Sequence, residues 1–117
     1  MILADTSVWV EHFRATDRRL FRLLDEQGIV LHEMVIGELA CGGLPERART
    51  IGRLKRMPRV RTCGAESCLE LIEAEGLVSR GIGWVDVHLL ASCLRDEVRL
   101  WTRDRRLHEV ARSLGLG

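Results

Sequence analysis

The chain has 117 residues, of which 46% are hydrophobic and 30% charged, a balance that predicts a single soluble globular domain over residues 1–117. No apolar run approaches the roughly 20 residues needed to cross a bilayer, and no basic-then-apolar secretion signal opens the chain, so we expect a cytoplasmic protein. The four cysteines form no CxxC pair and no zinc-type spacing, which predicts reduced thiols that lie mostly in the core.

Short apolar strands alternate with helical stretches along the chain. The predicted strands cover Ile2–Ala4, Ile29–Leu31, Val60–Thr62 and Val98–Trp101. The predicted helices cover Val8–Arg14, Arg18–Gln27, Val35–Cys41, a basic stretch from Pro45 towards Met57, Ala65–Ser79, Val85–Arg95 and Arg105–Leu114. Within the helix over Ala65–Ser79, we expect Leu69, Ile72 and Leu77 to face inwards. This alternation predicts an α/β fold whose parallel sheet is covered on both faces.

Four acids stand in apolar surroundings, unlike the other acids of the chain. They are Asp5 after the first strand, Glu38 in MVIGELACGG, Asp86 in GIGWVDVHLLAS and Asp104 after the last strand. In parallel α/β sheets, ligands bind beyond the carboxyl ends of the strands, where Asp5 and Asp104 are expected. Each acid also has a structural interpretation: Asp5, Asp86 and Asp104 can cap helices, and Glu38 can form a buried ion pair.

The four acids together favour a metal site. Clustered carboxylates repel one another unless a divalent cation neutralises them, and oxygen ligands suit Mg²⁺ or Mn²⁺. Such a cation can activate water and stabilise the charge that develops during phosphodiester hydrolysis.

A basic segment between residues 45 and 61 is the second signal. It contains seven basic residues and one acid in a chain whose net charge is only +1. The candidate nucleic-acid contacts are Arg47, Arg49, Arg53, Lys55 and Arg56. A basic patch suits a polyanion, although a solvated helix face gives the same pattern.

The stretches LADTSVWVEHF, VIGELACGG, GWVDVHLLASCL and LWTRDRRLHEVA resemble, in order and spacing, the motifs of PIN-domain ribonucleases, and most of all the VapC toxins of bacterial toxin–antitoxin pairs. The resemblance covers essentially the whole chain. It implies a three-layer α/β/α fold with a short parallel sheet of four to five strands. The sequence closes on Leu-Gly-Leu-Gly, which leaves little for the final strand that many relatives have.

The resemblance also implies function. Asp5, Glu38, Asp86 and Asp104 would bind Mg²⁺ or Mn²⁺ and cleave RNA. Thr6, Ser7 and Thr102 would orient carboxylates, water or phosphate. A cognate VapB-like antitoxin and a homodimer are the implied partners, with RNA as the substrate. The alternative is a catalytically silent PIN-like module that binds nucleic acid or protein.

Histidines and tryptophans lie near these motifs without an expected role in catalysis. His88 is two residues from Asp86 and should point to a different face of its helix. For Trp9, Trp84 and Trp101 we expect packing, with base stacking as the alternative.

Overall fold

Three short strands form one parallel sheet in the computed structural model, which describes residues 1–117. The strands are β1 Ile2–Ala4, β2 Ile29–Val30 and β3 Arg99–Trp101, in the order β2-β1-β3. The helices are α1 Thr6–Arg14, α2 Arg18–Asp25, α3 Glu33–Ala40, α4 Arg47–Arg56, α5 Ala65–Ala74, α6 Trp84–Asp96 and α7 Arg105–Ser113. The prediction of an α/β fold with a parallel sheet is therefore confirmed.

The sheet has three strands rather than the predicted four to five, and the strand predicted over Val60–Thr62 is wrong. Only one bridge forms there, between Leu31 and Arg59. Pro58 has no N–H to donate, and the N–H of Arg61 bonds to the Asp96 carboxylate at 2.8 Å instead of extending a ladder. At the other edge, the Leu100 N–H donates to the Leu116 carbonyl, but no strand forms there.

Two helix boundaries differ from the prediction because of backbone conformation. Helix α4 begins at Arg47 and leaves Pro45 outside, since Glu46 takes a left-handed conformation with φ 45°. Helix α5 ends at Ala74 rather than Ser79, because Gly76 follows with φ 61° and the Leu77 N–H folds back to the Ile72 carbonyl. The remaining helices match their predicted spans within two residues at each end.

The core lies between the sheet and the helices packed on it. Leu3 and Leu100 in the strands are buried with Leu20, Leu90 and Leu107 from three helices. Each such leucine contributes about 1.5–3 kcal/mol relative to an exposed side chain. The helix-face prediction for α5 is partly wrong, because Leu69 is 48% exposed, whereas Leu77 is buried and Ile72 packs on the core.

The thiols divide evenly between interior and surface. Cys68 and Cys93 are buried, and burial raises the pKa of the Cys93 thiol to about 12. Cys41 is exposed and Cys63 is half-buried, so fewer thiols lie in the core than expected, and none forms a disulfide. No helix is both long and apolar enough to serve as a membrane span.

Candidate active site

Asp5 lies where the carboxyl ends of β1 and β3 meet. The two strands are parallel neighbours, and the Asp5 N–H donates to the Trp101 carbonyl at 2.9 Å. This places Asp5 directly beside Thr102, whose hydroxyl donates to Asp5 Oδ2. Ser7 Oγ donates to Asp5 Oδ1 at 2.5 Å, and the Val8 N–H reaches the same oxygen at 3.3 Å. Asp5 therefore caps α1 weakly, and hydroxyl groups from two elements fix both of its oxygens.

Glu38 reaches this edge of the sheet from α3. Thr6 Oγ1, at the start of α1, donates to Glu38 Oε1 at 2.5 Å, and the Glu38 residue is exposed. No arginine, lysine or histidine lies within ion-pair distance of its carboxylate. The buried ion pair considered for Glu38 is therefore wrong. The hydroxyl contact orients one oxygen and leaves Oε2 without a donor from the protein.

Asp86 in the first turn of α6 is the half-buried member of the set. The Gly83 N–H donates to its Oδ2 at 3.0 Å, which is the capping contact expected as the structural alternative. Burial raises the pKa of the Asp86 carboxyl above its ordinary range, and the charges of Asp5, Asp104 and Glu38 raise it further. The charges of the other three acids therefore act on Asp86.

Asp104 caps α7 and connects to Asp5 through Thr102. Its Oδ1 accepts from the N–H groups of Arg106 and Leu107 at 2.8 and 3.1 Å. The Asp104 N–H donates to Thr102 Oγ1 at 3.0 Å, and the same hydroxyl donates to Asp5. The capping interpretation of Asp104 is correct, yet its Oδ2 receives no donor and the residue is exposed.

The donor chemistry of the acidic pocket, which is the name given to the region around Asp5, Glu38, Asp86 and Asp104, fits a hard divalent cation. Glu38 Oε2, Asp86 Oδ1 and Asp104 Oδ2 carry no hydrogen bond from the protein. However, no three Asp, Glu, His or Cys side chains come close enough together to enclose a metal ion. Mg²⁺ contacts oxygen at only about 2.0–2.1 Å and usually keeps several waters, whereas charges interact over longer distances. The carboxylates therefore share one electrostatic field, but they do not form a closed shell of direct ligands.

The sequence did not predict a role for two groups at the site, the Gly83 N–H and Arg103. The Gly83 N–H donates to Asp86, and Arg103 connects the end of β3 to Ser7 in α1 and to Asp17 at the start of α2. The Arg103 N–H donates to Ser7 Oγ at 3.0 Å, and its guanidinium pairs with Asp17, which caps α2 through the Leu20 N–H. The only sequence signal for Arg103 is its position between Thr102 and Asp104.

Two histidines, His32 and His88, are buried. His32 Nδ1 accepts from the Met34 N–H at 3.0 Å and so caps α3. The ring centroids of His88 and Trp84 lie 4.6 Å apart in an edge-to-face contact, and neither ring nitrogen of His88 has a hydrogen-bond partner in the protein. Burial lowers the pKa of His32, which favours its neutral form.

The basic residues of α4 make different contacts along the helix. Arg47 donates to the carbonyls of Ala40 and Gly42 at the end of α3, and Arg49 pairs with Glu46 at 3.6 Å. At the other end of the helix, Arg56 lines a pocket with Met1 and Gln27, which precede β1 and β2. The carboxyl end of α4 therefore lies near the amino ends of the strands, opposite the acidic pocket. Arg53, Lys55 and Arg56 have no acidic partner.

Comparison with known proteins places the chain in a family. The model of the PIN domain matches residues 2–113, and the chain belongs to the PIN-domain family. It is similar to Ribonuclease VapC32 of Mycobacterium tuberculosis, in both strain CDC 1551 / Oshkosh and strain ATCC 25618 / H37Rv. In each case 40% of 117 aligned residues are identical, covering 99% of this chain and 94% of the relative. The predicted resemblance to VapC-type PIN proteins is confirmed.

Proposed function

We propose that this chain is the ribonuclease toxin of a toxin–antitoxin pair and that it cleaves RNA phosphodiester bonds with Mg²⁺ or Mn²⁺. The observation that carries the proposal is the set of hydroxyl contacts at the carboxyl edge of the sheet, where Thr102 donates to Asp5 and accepts from the Asp104 N–H. A chain 40% identical to a ribonuclease over nearly its whole length supports the same activity.

The four carboxylates would hold the ion, together with waters. Glu38 Oε2, Asp86 Oδ1 and Asp104 Oδ2 offer oxygens without protein donors, and Asp5 follows β1 beside Thr102. When bound, the ion lowers the pKa of a coordinated water and offsets the charge that develops on the phosphate. The unpaired negative charge of the pocket favours a cation over an anionic ligand.

The hydroxyl residues have positioning roles in this proposal. Thr102 and Ser7 donate to opposite oxygens of Asp5, and Thr6 donates to Glu38. These bonds limit the rotation of each carboxylate. Preorganisation of this kind lowers the cost of arranging ligands at the moment of reaction.

The proposed antitoxin is a VapB-like protein that inhibits by occupying the acidic pocket. An apolar groove of about 240 Å³ opens between α1, α3 and the following loop, and it is lined in part by Val10, Phe13 and Leu44. Glu38 forms part of the same wall. An apolar helix in this groove could deliver an arginine to the carboxylates, because a guanidinium pairs bidentately with such groups.

A homodimer is also proposed, as the family resemblance implies. Four large apolar residues of the α5–α6 region are 39–63% exposed: Leu69, Val78, Trp84 and Leu94. Burial of such residues against a second copy would remove apolar surface from water. Light scattering at tens of micromolar should give the mass of a dimer, and Leu69→Glu should shift it towards the monomer. A wild-type monomer at that concentration would contradict this part of the proposal.

One experiment tests the activity against the silent-module alternative. Purified wild-type protein should cleave single-stranded RNA in Mg²⁺ or Mn²⁺ and should stop doing so in excess EDTA. Wild-type expression should also arrest growth, whereas expression of Asp5→Asn should not. A soluble wild-type protein that binds RNA without cleaving it, and that leaves growth unchanged, would favour the silent module. Cleavage undiminished by EDTA would overturn the metal-dependent mechanism.

A further inference from the structure

The face of the sheet at the β3 edge carries a basic pocket outside the acidic site. Ile2, Arg99 and Trp101 point to the same face, because Ile2 pairs with Arg99 and strand residues alternate sides. Leu3 and Leu100 on the opposite face are buried, whereas Arg99 is exposed and Trp101 is half-buried. Parallel sheets are normally covered on both faces, so this corner of the sheet is unusually open.

The charged side chains that line this pocket are two arginines. Arg19 from α2 and Arg99 from β3 converge on it beside His108 from α7, and no aspartate or glutamate lines it. The Arg99 guanidinium donates to the carbonyl oxygen of Gly117, which lines the pocket as well. Its volume of about 180 Å³ is below the about 300–1,000 Å³ typical of small-molecule sites. It therefore suits one charged unit of a longer ligand better than a whole cofactor.

Arg19 is held in an orientation that suits a phosphate. Its guanidinium carbon lies 4.4 Å from the centroid of the Trp101 ring. Arg19 forms no ion pair in the structure. Stacking on an indole fixes the plane of a guanidinium and leaves its N–H edges available for a bidentate contact. A free, oriented guanidinium beside a second arginine is a suitable receptor for a phosphate oxygen pair.

The pocket is connected to the acidic site through one strand. Trp101 directly precedes Thr102, whose hydroxyl donates to Asp5. Thr102 follows Arg99 by three positions along the chain, a span of about 10 Å. A few nucleotides of extended RNA cover this span, so one strand could contact both sites at once.

We propose that Arg19, oriented by Trp101, binds a backbone phosphate of the RNA substrate outside the cleavage position, together with Arg99. This inference rests on the proposed ribonuclease function. It places the RNA along the β3 edge rather than along the whole length of α4. The occupant is a polyanion because the pocket pairs two arginines with no acid.

The test measures RNA affinity without cleavage. A fluorescein-labelled single-stranded RNA of about 12 nucleotides is titrated in EDTA with wild type, Arg19→Gln and the matched control Arg18→Gln. Arg18 is exposed on the same helix and does not line the pocket, so both variants lose one charge. We expect about tenfold weaker binding for Arg19→Gln and a salt dependence shallower by about 0.7 in log–log slope. Arg18→Gln should bind as wild type does.

Two further measurements separate the possible outcomes. Arg19→Lys keeps the charge but loses the flat stack on Trp101, so it should bind more weakly than wild type and more tightly than Arg19→Gln. If wild type cleaves RNA in Mg²⁺ and Arg19→Gln binds RNA as Arg18→Gln does, the inference is overturned while the ribonuclease proposal stands. If Arg19→Gln loses affinity only for the co-expressed antitoxin, the pocket is a protein contact and the inference is likewise overturned. If Arg19-dependent RNA binding occurs without metal-dependent cleavage, the phosphate site stands and the ribonuclease proposal fails.

Discussion

The acidic pocket and helix α4 carry opposite charges and differ in how their side chains are held. In the pocket, hydroxyl groups from distant parts of the chain orient the carboxylates, as Thr102 does for Asp5 and Thr6 for Glu38. On α4, Arg47 bonds to the carbonyls that end α3, whereas the charges of Arg53 and Arg56 have no protein partner. Residue identity should therefore matter in the pocket, and total charge should matter on much of α4.

The largest effect should come from Asp5→Asn. Asn keeps the size of the side chain but removes its negative charge. Substitution of a residue that only orients a metal ligand typically lowers activity about 10–100-fold, and RNA cleavage by Asp5→Asn should fall by more than this. Asp25→Asn, at an exposed site in α2, is the matched control and should cleave RNA at the wild-type rate. Rates are compared in Mg²⁺ under single-turnover conditions, and equal rates for the two variants would remove Asp5 from the site.

Thr102→Val should give a smaller loss of activity. The substitution keeps the shape of the side chain but removes the hydroxyl that donates to Asp5 and accepts from the Asp104 N–H. We expect about 10–100-fold slower cleavage, with a higher Mg²⁺ concentration needed for half-maximal rate. Thr62→Val, in an exposed loop, is the control. An unchanged Mg²⁺ requirement would show that Thr102 does not position a metal ligand.

Arg47→Gln should affect stability, although its position suggests an RNA contact. Arg47 donates to the carbonyls of Ala40 and Gly42, which have no helical partners beyond the end of α3. Removing this guanidinium should lower the free energy of unfolding by about 1 kcal/mol, measured by urea denaturation. Arg53→Gln, on the same helix and without such a contact, should unfold like wild type. Equal stability of the two variants would contradict the distinction drawn within α4.

Asp86→Asn should raise the stability of the metal-free protein. The folded protein raises the pKa of Asp86, so its charged form disfavours folding once the pH exceeds the ordinary value of 3.8. In EDTA at neutral pH, the variant should therefore melt at a higher temperature than wild type. The gain should shrink as the pH falls towards 3.8 and disappear below it. A lower melting temperature for Asp86→Asn at neutral pH would mean that the ionised carboxylate stabilises the fold. Glu73→Gln, an exposed acid of α5, is the control.

The sequence predicted the strand ends better than the sheet edges. The apolar triplet Ile-Leu-Ala before Asp5 shows where β1 ends, and the stretch Val-Arg-Leu-Trp before Thr102 shows where β3 ends. The failed strand at Val60–Thr62 has equally suitable residues. It is lost because Asp96, 35 residues away from Arg61, captures a backbone N–H. The strand propensity of residues 60–62 contains no information about a distant carboxylate that competes for their backbone N–H groups.

The candidate site shows the same limit. The four acids could be selected from their apolar neighbours, but three of them also make the local contacts of helix caps: Asp5, Asp86 and Asp104. Sequence alone therefore could not separate capping from metal binding. In the structure, Asp86 and Asp104 each make the cap contact through one oxygen, and the other oxygen has no donor from the protein. The exposure of Leu69 and the stack of Arg19 on Trp101 depend on how elements pack, which no local pattern encodes.

Mn²⁺ binding tests the central claim most directly, because it reports on the pocket without RNA, antitoxin or catalysis. Free Mn²⁺ is followed by electron paramagnetic resonance during titration of wild type and of the double variant Asp5→Asn/Asp86→Asn, both shown to be folded by circular dichroism. We predict that Mn²⁺ binds wild type saturably and is displaced by Mg²⁺, whereas the double variant does not bind Mn²⁺. Equal Mn²⁺ binding by the two proteins, or none by wild type, would contradict a metal site built from these carboxylates.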